Sequence, residues 1–333
     1  ITDGAFENGT AIPCDCYQTG ELWTWVWTRD TAYAVDLGLA WLDPERARNS
    51  LQFKLSRPKD GGPLRIVQDT GSGGSWPVST DRAIWALGAQ AVLDTLPEPE
   101  RSAFLAEAQE AVTTTAEEDR VYVFDGDDGL YRGEQSFLDW REQSYGSFTA
   151  DNVVPIAESK ALSTNLAHWI LLDAASRWSD ELGDTALRDT YRTWADELAT
   201  AIEAELLQPS GDRWATLKGT RLDPSTPDRR DWLGEALAAL TIADSATAVA
   251  TLSSYPHGPH GPPVMYPQQP GVPVYHNRAQ WPFVTAYGLK AAARHRHEAV
   301  FQAGADELIR GSAVNLSNME NAEWTTGEPW FDD

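Results

Sequence analysis

The sequence predicts an all-α protein, a barrel built of helical hairpins whose long loops collect at one end. Three observations lead there. Helical patterns come in consecutive pairs, joined on one side by short breaks and on the other by long polar, aromatic loops. Little strand content follows Asp125. No repeat of roughly 20–50 residues and no low-complexity linker runs through the 333 residues. In such a barrel the inner helices are parallel, the outer ones cover them, and function belongs where the long loops gather.

The elements follow in order. Residues 1–28 read as an irregular, β-like lead-in, the end of an N-terminal domain, closing on the alternation Leu22-Trp-Thr-Trp-Val-Trp-Thr28. The barrel is expected over 29–333. Its first helix, Thr31 to Leu42, stops at Asp43-Pro44, and Pro44 suits the first turn of a second, Glu45 to about Leu55, where a missing N–H has no consequence. A loop containing Asp69-Thr-Gly-Ser-Gly-Gly-Ser-Trp-Pro77 precedes a third helix, Thr80 to Leu96. Pro97 and Pro99 break the chain before a fourth, Glu100 to about Asp119, and Val121-Tyr-Val-Phe124 reads as a short strand. Further helices are expected over 160–182 and 184–207, parted by Gly183, with shorter ones over 230–241 and 244–253. A Pro/Gly/His-rich loop, Tyr255 to Pro273, leads into helices Arg278–His297 and Glu298 to about Leu316. The tail, Ser317 to Asp333, has no periodicity.

Composition bounds the function. A hydrophobic content of 42% supports a sizeable core, and a net charge of -24 argues against nucleic acid or an anionic membrane as partner. No apolar run reaches the length of a membrane span. The chain opens Ile-Thr-Asp, without an initiator Met or signal peptide, so removal of an N-terminal segment is expected, be it a leader, an earlier domain or a cloning choice. An extracytoplasmic (periplasmic or secreted) location is the expectation. Cys14 and Cys16 read as two ordinary thiols, because one intervening residue strains a disulfide and no further ligands suggest zinc. The 15 Trp and 10 Tyr are the unusual feature, since flat aromatic faces suit sugar rings.

The densest chemistry lies in Gly129 to Tyr145, with Glu134, Asp139, Glu142, Arg132, Arg141 and four aromatics. Asp139 sits between Leu138 and Trp140, and burial against such neighbours raises a carboxyl pKa as a general acid requires. A salt-bridged loop is the competing reading. Trp27-Thr-Arg-Asp30 suggests Arg29 and Asp30 bonded to sugar hydroxyls under a stacking Trp27, or else a helix-capping Asp with an ordinary ion pair. Ser75 to Arg82 repeats the idea with Trp76 and Asp81, and its Gly71–Gly74 run lacks the spacing of a phosphate loop. Tyr275-His-Asn-Arg-Ala-Gln-Trp-Pro282 repeats it again, with His276 as an orienting donor beside Asn277, Arg278 and Trp281. His257 and His260 lack metal-site spacing. Glu320 and Glu323 stand in the tail among Asn and Trp. An acid at Asp139 and a base in the tail make the two-carboxylate arrangement that cleaves an acetal without a cofactor. No Ser-His-Asp elbow, Cys nucleophile or dinucleotide fingerprint competes.

The order of these motifs resembles that of the six-hairpin, (α/α)6-barrel glycosidases, in the group of glucoamylases, trehalases and processing α-glucosidases. Trp27-Thr-Arg-Asp30 resembles the Trp-x-Arg-Asp opening the first inner helix in that group, and Ser136-Phe-Leu-Asp139-Trp resembles the segment of the general acid. Glu320-Asn-Ala-Glu-Trp-Thr-Thr-Gly327-Glu is similar to the Glu-Asn-Tyr-Asp-Pro-x-Thr-Gly-Glu run of the general base, which implies Glu320 as base. Ala322-Glu323-Trp324 replaces the Tyr-Asp-Pro of that run and keeps Glu323 as runner-up. The pattern also resembles a little-described bacterial branch. The resemblance implies an inverting glycosidase acting on α-linked glycosides, with Asp139 as acid and Trp27, Arg29, Asp30, Trp76, Asp81, Arg141, Glu142, His276, Asn277, Arg278 and Trp281 around an oligosaccharide or glycoside. In that architecture a last inner helix follows the base loop, so the barrel is expected to be incomplete here, its closing helix coming from a second fragment of the same polypeptide. The rivals are a sugar phosphorylase or epimerase on the same barrel, and a non-catalytic carbohydrate-binding barrel.

Overall fold

A computed structural model describes residues 2–3, 12–21, 24–59, 61–69, 75–138, 153–220 and 223–330. Helices dominate, and among the described residues strands are confined to antiparallel pairs two residues long. The chain forms two units, Ile1–Gly133 with Ala167–Ala201 and Glu134–Leu166 with Ile202–Asp333.

In the first unit, α1 (Thr28–Ala34) runs through a π-helical turn, Val35–Leu39, into α2 (Ala40–Leu42). Asp43 then caps α3 (Pro44–Phe53): its carboxylate accepts from the Arg46 N–H at 3.1 Å, and Pro44 takes the first helical position. A 3-10 turn, Asp81–Ile84, leads into α4 (Trp85–Leu93) and a proline-flanked break into α5 (Glu100–Tyr122). Helix α4 is apolar nearly all round because it is buried nearly all round, and Trp85 donates its Nε1–H to the Leu51 carbonyl of α3 at 3.0 Å. Gly88 lets α4 lie against α1, since a Cβ there would come within 3.0 Å of the Ala32 backbone.

Charge is also buried in this unit. Arg82 reaches Glu118 at 2.8 Å and Asp119 at 2.6 Å, with Asp119 fully buried. Burial pushes the Asp119 pKa up although Arg82 pulls it down. His168 is neutral, its pKa lowered to about 3 by burial and by Arg82, and its ring stacks on Tyr131 at 4.0 Å.

The second unit contains α6 (Val154–Ala157), one end each of α7 (Leu162–Glu181) and α8 (Thr185–Leu206), and then α9 (Trp232–Leu240), α10 (Ser245–Ser254), α11 (Pro282–Arg294) and α12 (Glu298–Asn315). Helix α9 packs on both α10 and α11, and α11 on α12. The α9–α11 approach needs Gly288, where a Cβ would lie 2.5 Å from the buried Trp232 ring. At the start of α9, Arg230 and Glu235 form a buried ion pair through two hydrogen bonds of 2.7 Å. Among the described residues no helix is long and apolar enough to cross a membrane.

Three sequence expectations need correction. Val121 and Tyr122 finish α5 rather than start a strand; both are exposed, so their apolar character reflects no buried alternation, and only Phe124–Asp125 pairs, with Leu130–Tyr131. The helix expected from Arg278 begins at Pro282, because Ala279–Gln280 are drawn into pairing with Ala322–Glu323 of the tail. Cys14 and Cys16 are joined as a disulfide rather than left as thiols, their Cα atoms 5.2 Å apart, inside the range a bridge spans.

Candidate active site

Asp139, Trp140, Arg141 and Glu142 lie outside the described residues. The approach to them, Glu134–Leu138, is described and buried throughout. The Ser136 N–H donates to Ser163 Oγ at 2.9 Å, and Thr164 Oγ1 donates to the Glu134 carbonyl at 2.5 Å, so the first turn of α7 grips this segment. Gln135 donates from Nε2 to Thr216 Oγ1, which donates onward to Asp231 Oδ2 at 2.9 Å. Phe137 is left-handed at φ 74°, a conformation a bulky residue adopts only when its surroundings impose it. The imposing contacts are edge-on rings: His276 at 5.0 Å, Trp281 at 4.7 Å and Phe283 at 4.9 Å between centroids.

Asp231 ends this buried chain and also caps α9, accepting from the Gly234 N–H. Burial pushes its pKa up to about 6 against the pull of the Gly234 and Thr216 hydrogen bonds. A raised carboxyl pKa means that the folded protein holds a proton the unfolded chain releases. Its stabilising contribution is therefore full below about pH 4 and falls as pH rises to about 6. Between those limits the wild type is expected to lose about 2 kcal/mol relative to Asp231→Asn, which keeps the cap. Urea midpoints at both pH values check this; a constant difference would mean that folding does not raise the Asp231 pKa.

The tail closes on the same aromatic group. The pairing of Ala279–Gln280 with Ala322–Glu323 sets the loop bearing Glu320 against the segment bearing Tyr275. Tyr275 donates its hydroxyl hydrogen to Glu320 Oε1 at 3.0 Å. Partial burial pushes the Glu320 pKa up, with the Tyr275 bond pulling the other way. Glu323 is placed differently. Burial raises its pKa, but hydrogen bonds to Oε2 from Thr325 Oγ1 (2.6 Å) and from the Thr326 and Thr325 N–H groups (2.7 and 2.9 Å) prevail and hold it below the usual range. Its Oε1 lies 3.7 Å from Arg278 Nε. Glu323 therefore braces its own turn, while Glu320 keeps an exposed face.

The other expected site residues fall in both units. In the second, His276 is buried between Tyr275 and Phe137, and Trp281 donates Nε1–H to the Tyr275 carbonyl at 2.9 Å. Asn277 is buried with its amide engaged by the backbone of Gln269 and Val272, bracing that loop. In the first unit, Trp27 stands at the N-cap of α1 without capping through its side chain, so Asp30 is not the cap. Arg29 instead lies 3.5 Å from both Asp30 Oδ2 and Asp81 Oδ2, joining two of the sequence motifs. Asp81 is fully buried and accepts from Ser79 Oγ at 2.8 Å and Gln68 Nε2 at 3.1 Å. Trp76 is exposed, edge-on to Tyr122. Among the described residues no group of three or more His, Cys, Asp or Glu is placed to hold a metal ion.

Sequence reasoning missed Tyr275 and Trp330, the latter tilted over the Tyr275 ring at 5.4 Å. Tyr275 stood inside a motif already singled out, but its partner lies 45 positions away, and no spacing in the sequence signals that pairing.

No protein-family model matches the chain, and no curated protein matches it by sequence. Solved structures do match in fold. A GH63 mannosylglycerate hydrolase from Thermus thermophilus superposes with a TM-score of 0.72 at 10% identity, over 99% of this chain and 94% of that one. The neutral trehalase of Saccharomyces cerevisiae gives 0.67 at 10% identity, over 94% and 70%. A sialidase gives 0.66 at 15% identity over 89% of this chain, which spans 27% of that protein's length. The chain has the all-α fold of the six-hairpin, (α/α)6-barrel glycosidases that the order of its motifs led us to expect.

Proposed function

We propose that the protein is a glycosidase that hydrolyses an α-linked glycoside with inversion, Asp139 acting as general acid and Glu320 as general base. One observation carries the assignment. Phe137, two residues before Asp139, and Tyr275, whose hydroxyl meets Glu320, both pack on His276 and Trp281, so one aromatic group ties the two carboxylate-bearing segments together. The fold likeness to glycosidases over nearly the whole chain supports it.

In the proposed reaction Asp139 gives its proton to the glycosidic oxygen as the bond from that oxygen to the anomeric carbon breaks, and the aglycone leaves as an alcohol. Water bonds to the anomeric carbon from the opposite face while Glu320 takes one of its protons. The configuration inverts, and solvent exchange returns both carboxyls to their starting states. His276, Arg278 and Trp281 are proposed to contact the same sugar. The chemistry requires only proton transfer and water.

The test is a screen of aryl α- and β-glycosides, mannosylglycerate and plant or bacterial oligosaccharides, with and without phosphate and with Asp139→Asn as control. Proton NMR of the first product identifies the released anomer. Release from an α-glycoside with inversion, lost in Asp139→Asn, is expected. Release that requires phosphate would reassign the protein as a phosphorylase, and activity unchanged by Asp139→Asn would overturn the assignment.

A further inference from the structure

Glu320 belongs to a loop, not to a helix or strand, and keeps an exposed face. A general base so placed swings among rotamers unless something holds it, and catalytic geometry tolerates little misplacement. No described cation lies within ion-pair distance of Glu320; its hydrogen bond comes from the Tyr275 hydroxyl. That hydroxyl is itself unusually well fixed. The Tyr275 ring stacks on His276 at 4.4 Å, meets the Trp281 edge at 4.8 Å and carries Trp330 at 5.4 Å. The Trp281 indole N–H also holds the Tyr275 carbonyl at 2.9 Å.

We propose that Tyr275 is the positioning residue of the general base: it clamps Glu320 through Oε1 and leaves Oε2 to take the proton from water. This rests on the assignment of Glu320 as base. The clamp has two effects. It restricts the carboxylate to one aim, and, because a hydroxyl donor favours the ionised carboxylate, it keeps Glu320 deprotonated at lower pH than its partly buried setting alone would allow. Among the described residues, the neighbouring polar groups are turned to other partners. Arg278 on the neighbouring segment is directed to Glu323, which is braced in turn by Thr325 and Thr326, and the His276 ring is stacked beneath Tyr275 rather than beside the carboxylate.

The experiment is Tyr275→Phe in the full chain, which keeps the ring and its stacking and removes only the hydroxyl. Two readouts are needed. The acidic limb of the kcat/KM profile, where the base protonates, is expected to move up by about one pH unit, with kcat falling about tenfold and KM nearly unchanged. Independently of activity, carbon-13 NMR of the Glu320 carboxyl, assigned through Glu320→Gln, is expected to titrate at higher pH in the variant by the same amount. An unchanged limb and an unchanged titration in an active, folded variant would overturn the proposal while leaving the base assignment standing. A shifted NMR titration with no change in any activity profile would show that Tyr275 holds a carboxyl that is not the base.

Discussion

Glu320→Gln is expected to lower kcat on the order of 10³-fold, and Glu323→Gln by less than about tenfold, on the best substrate of the glycoside screen. The contrast follows from what each carboxylate already does. Glutamine at 320 still accepts from Tyr275, so the loop keeps its shape, but it takes no proton from water. At 323 the second oxygen already receives bonds from Thr325 and Thr326, and the first faces Arg278, so the substitution weakens a turn and leaves the proton transfer alone. Steady-state kinetics over a pH range measures both. Equal losses would overturn the distinction between the two carboxylates, and a larger loss at 323 would reverse the roles.

The largest effect on stability is expected at Arg230. Its guanidinium meets Glu235 twice at 2.7 Å and also donates to the Ser254 carbonyl at 3.0 Å and Ser254 Oγ at 2.9 Å. Glu235 is fully buried and additionally accepts from the Trp214 N–H at 3.0 Å. Burial alone pushes the Glu235 pKa up, and Arg230 opposes it. Arg230→Met strands that carboxyl without its cation and should destabilise the protein by about 3–5 kcal/mol, read from urea midpoints. The double variant with Glu235→Leu removes the stranded group and is expected to recover most of the loss, since an apolar pair of similar volume avoids the desolvation of both ions. A double variant no better than the single one would show that the pair acts through its links to Ser254 and Trp214.

Much of the helix order was legible because the signals are local. Asp43-Pro44 and Gly183 mark boundaries through capping chemistry and backbone preference, and those boundaries fall where expected. Other features depend on partners far along the chain. Ala279 and Gln280 looked helical until paired with Ala322 and Glu323, and the Tyr275–Glu320 contact joins residues whose separation follows no period. Phe137 in a left-handed conformation was likewise invisible, because three rings from another segment impose it. Asp139 was singled out from its neighbours Leu138 and Trp140, and it lies outside the described residues.

The two-residue ladder between Ala279–Gln280 and Ala322–Glu323 has a consequence for how this region tolerates change over evolution. Side chains alternate across a strand, so a pairing that slips by one position turns every side chain to the other face. An added residue just after α12, around Leu316 or Ser317, bulges into solvent and leaves the register intact. The same insertion between Glu320 and Ala322 rotates the carboxylate away from Tyr275. Homologues of this chain should therefore vary in length before Glu320 and hold it constant from there to the ladder.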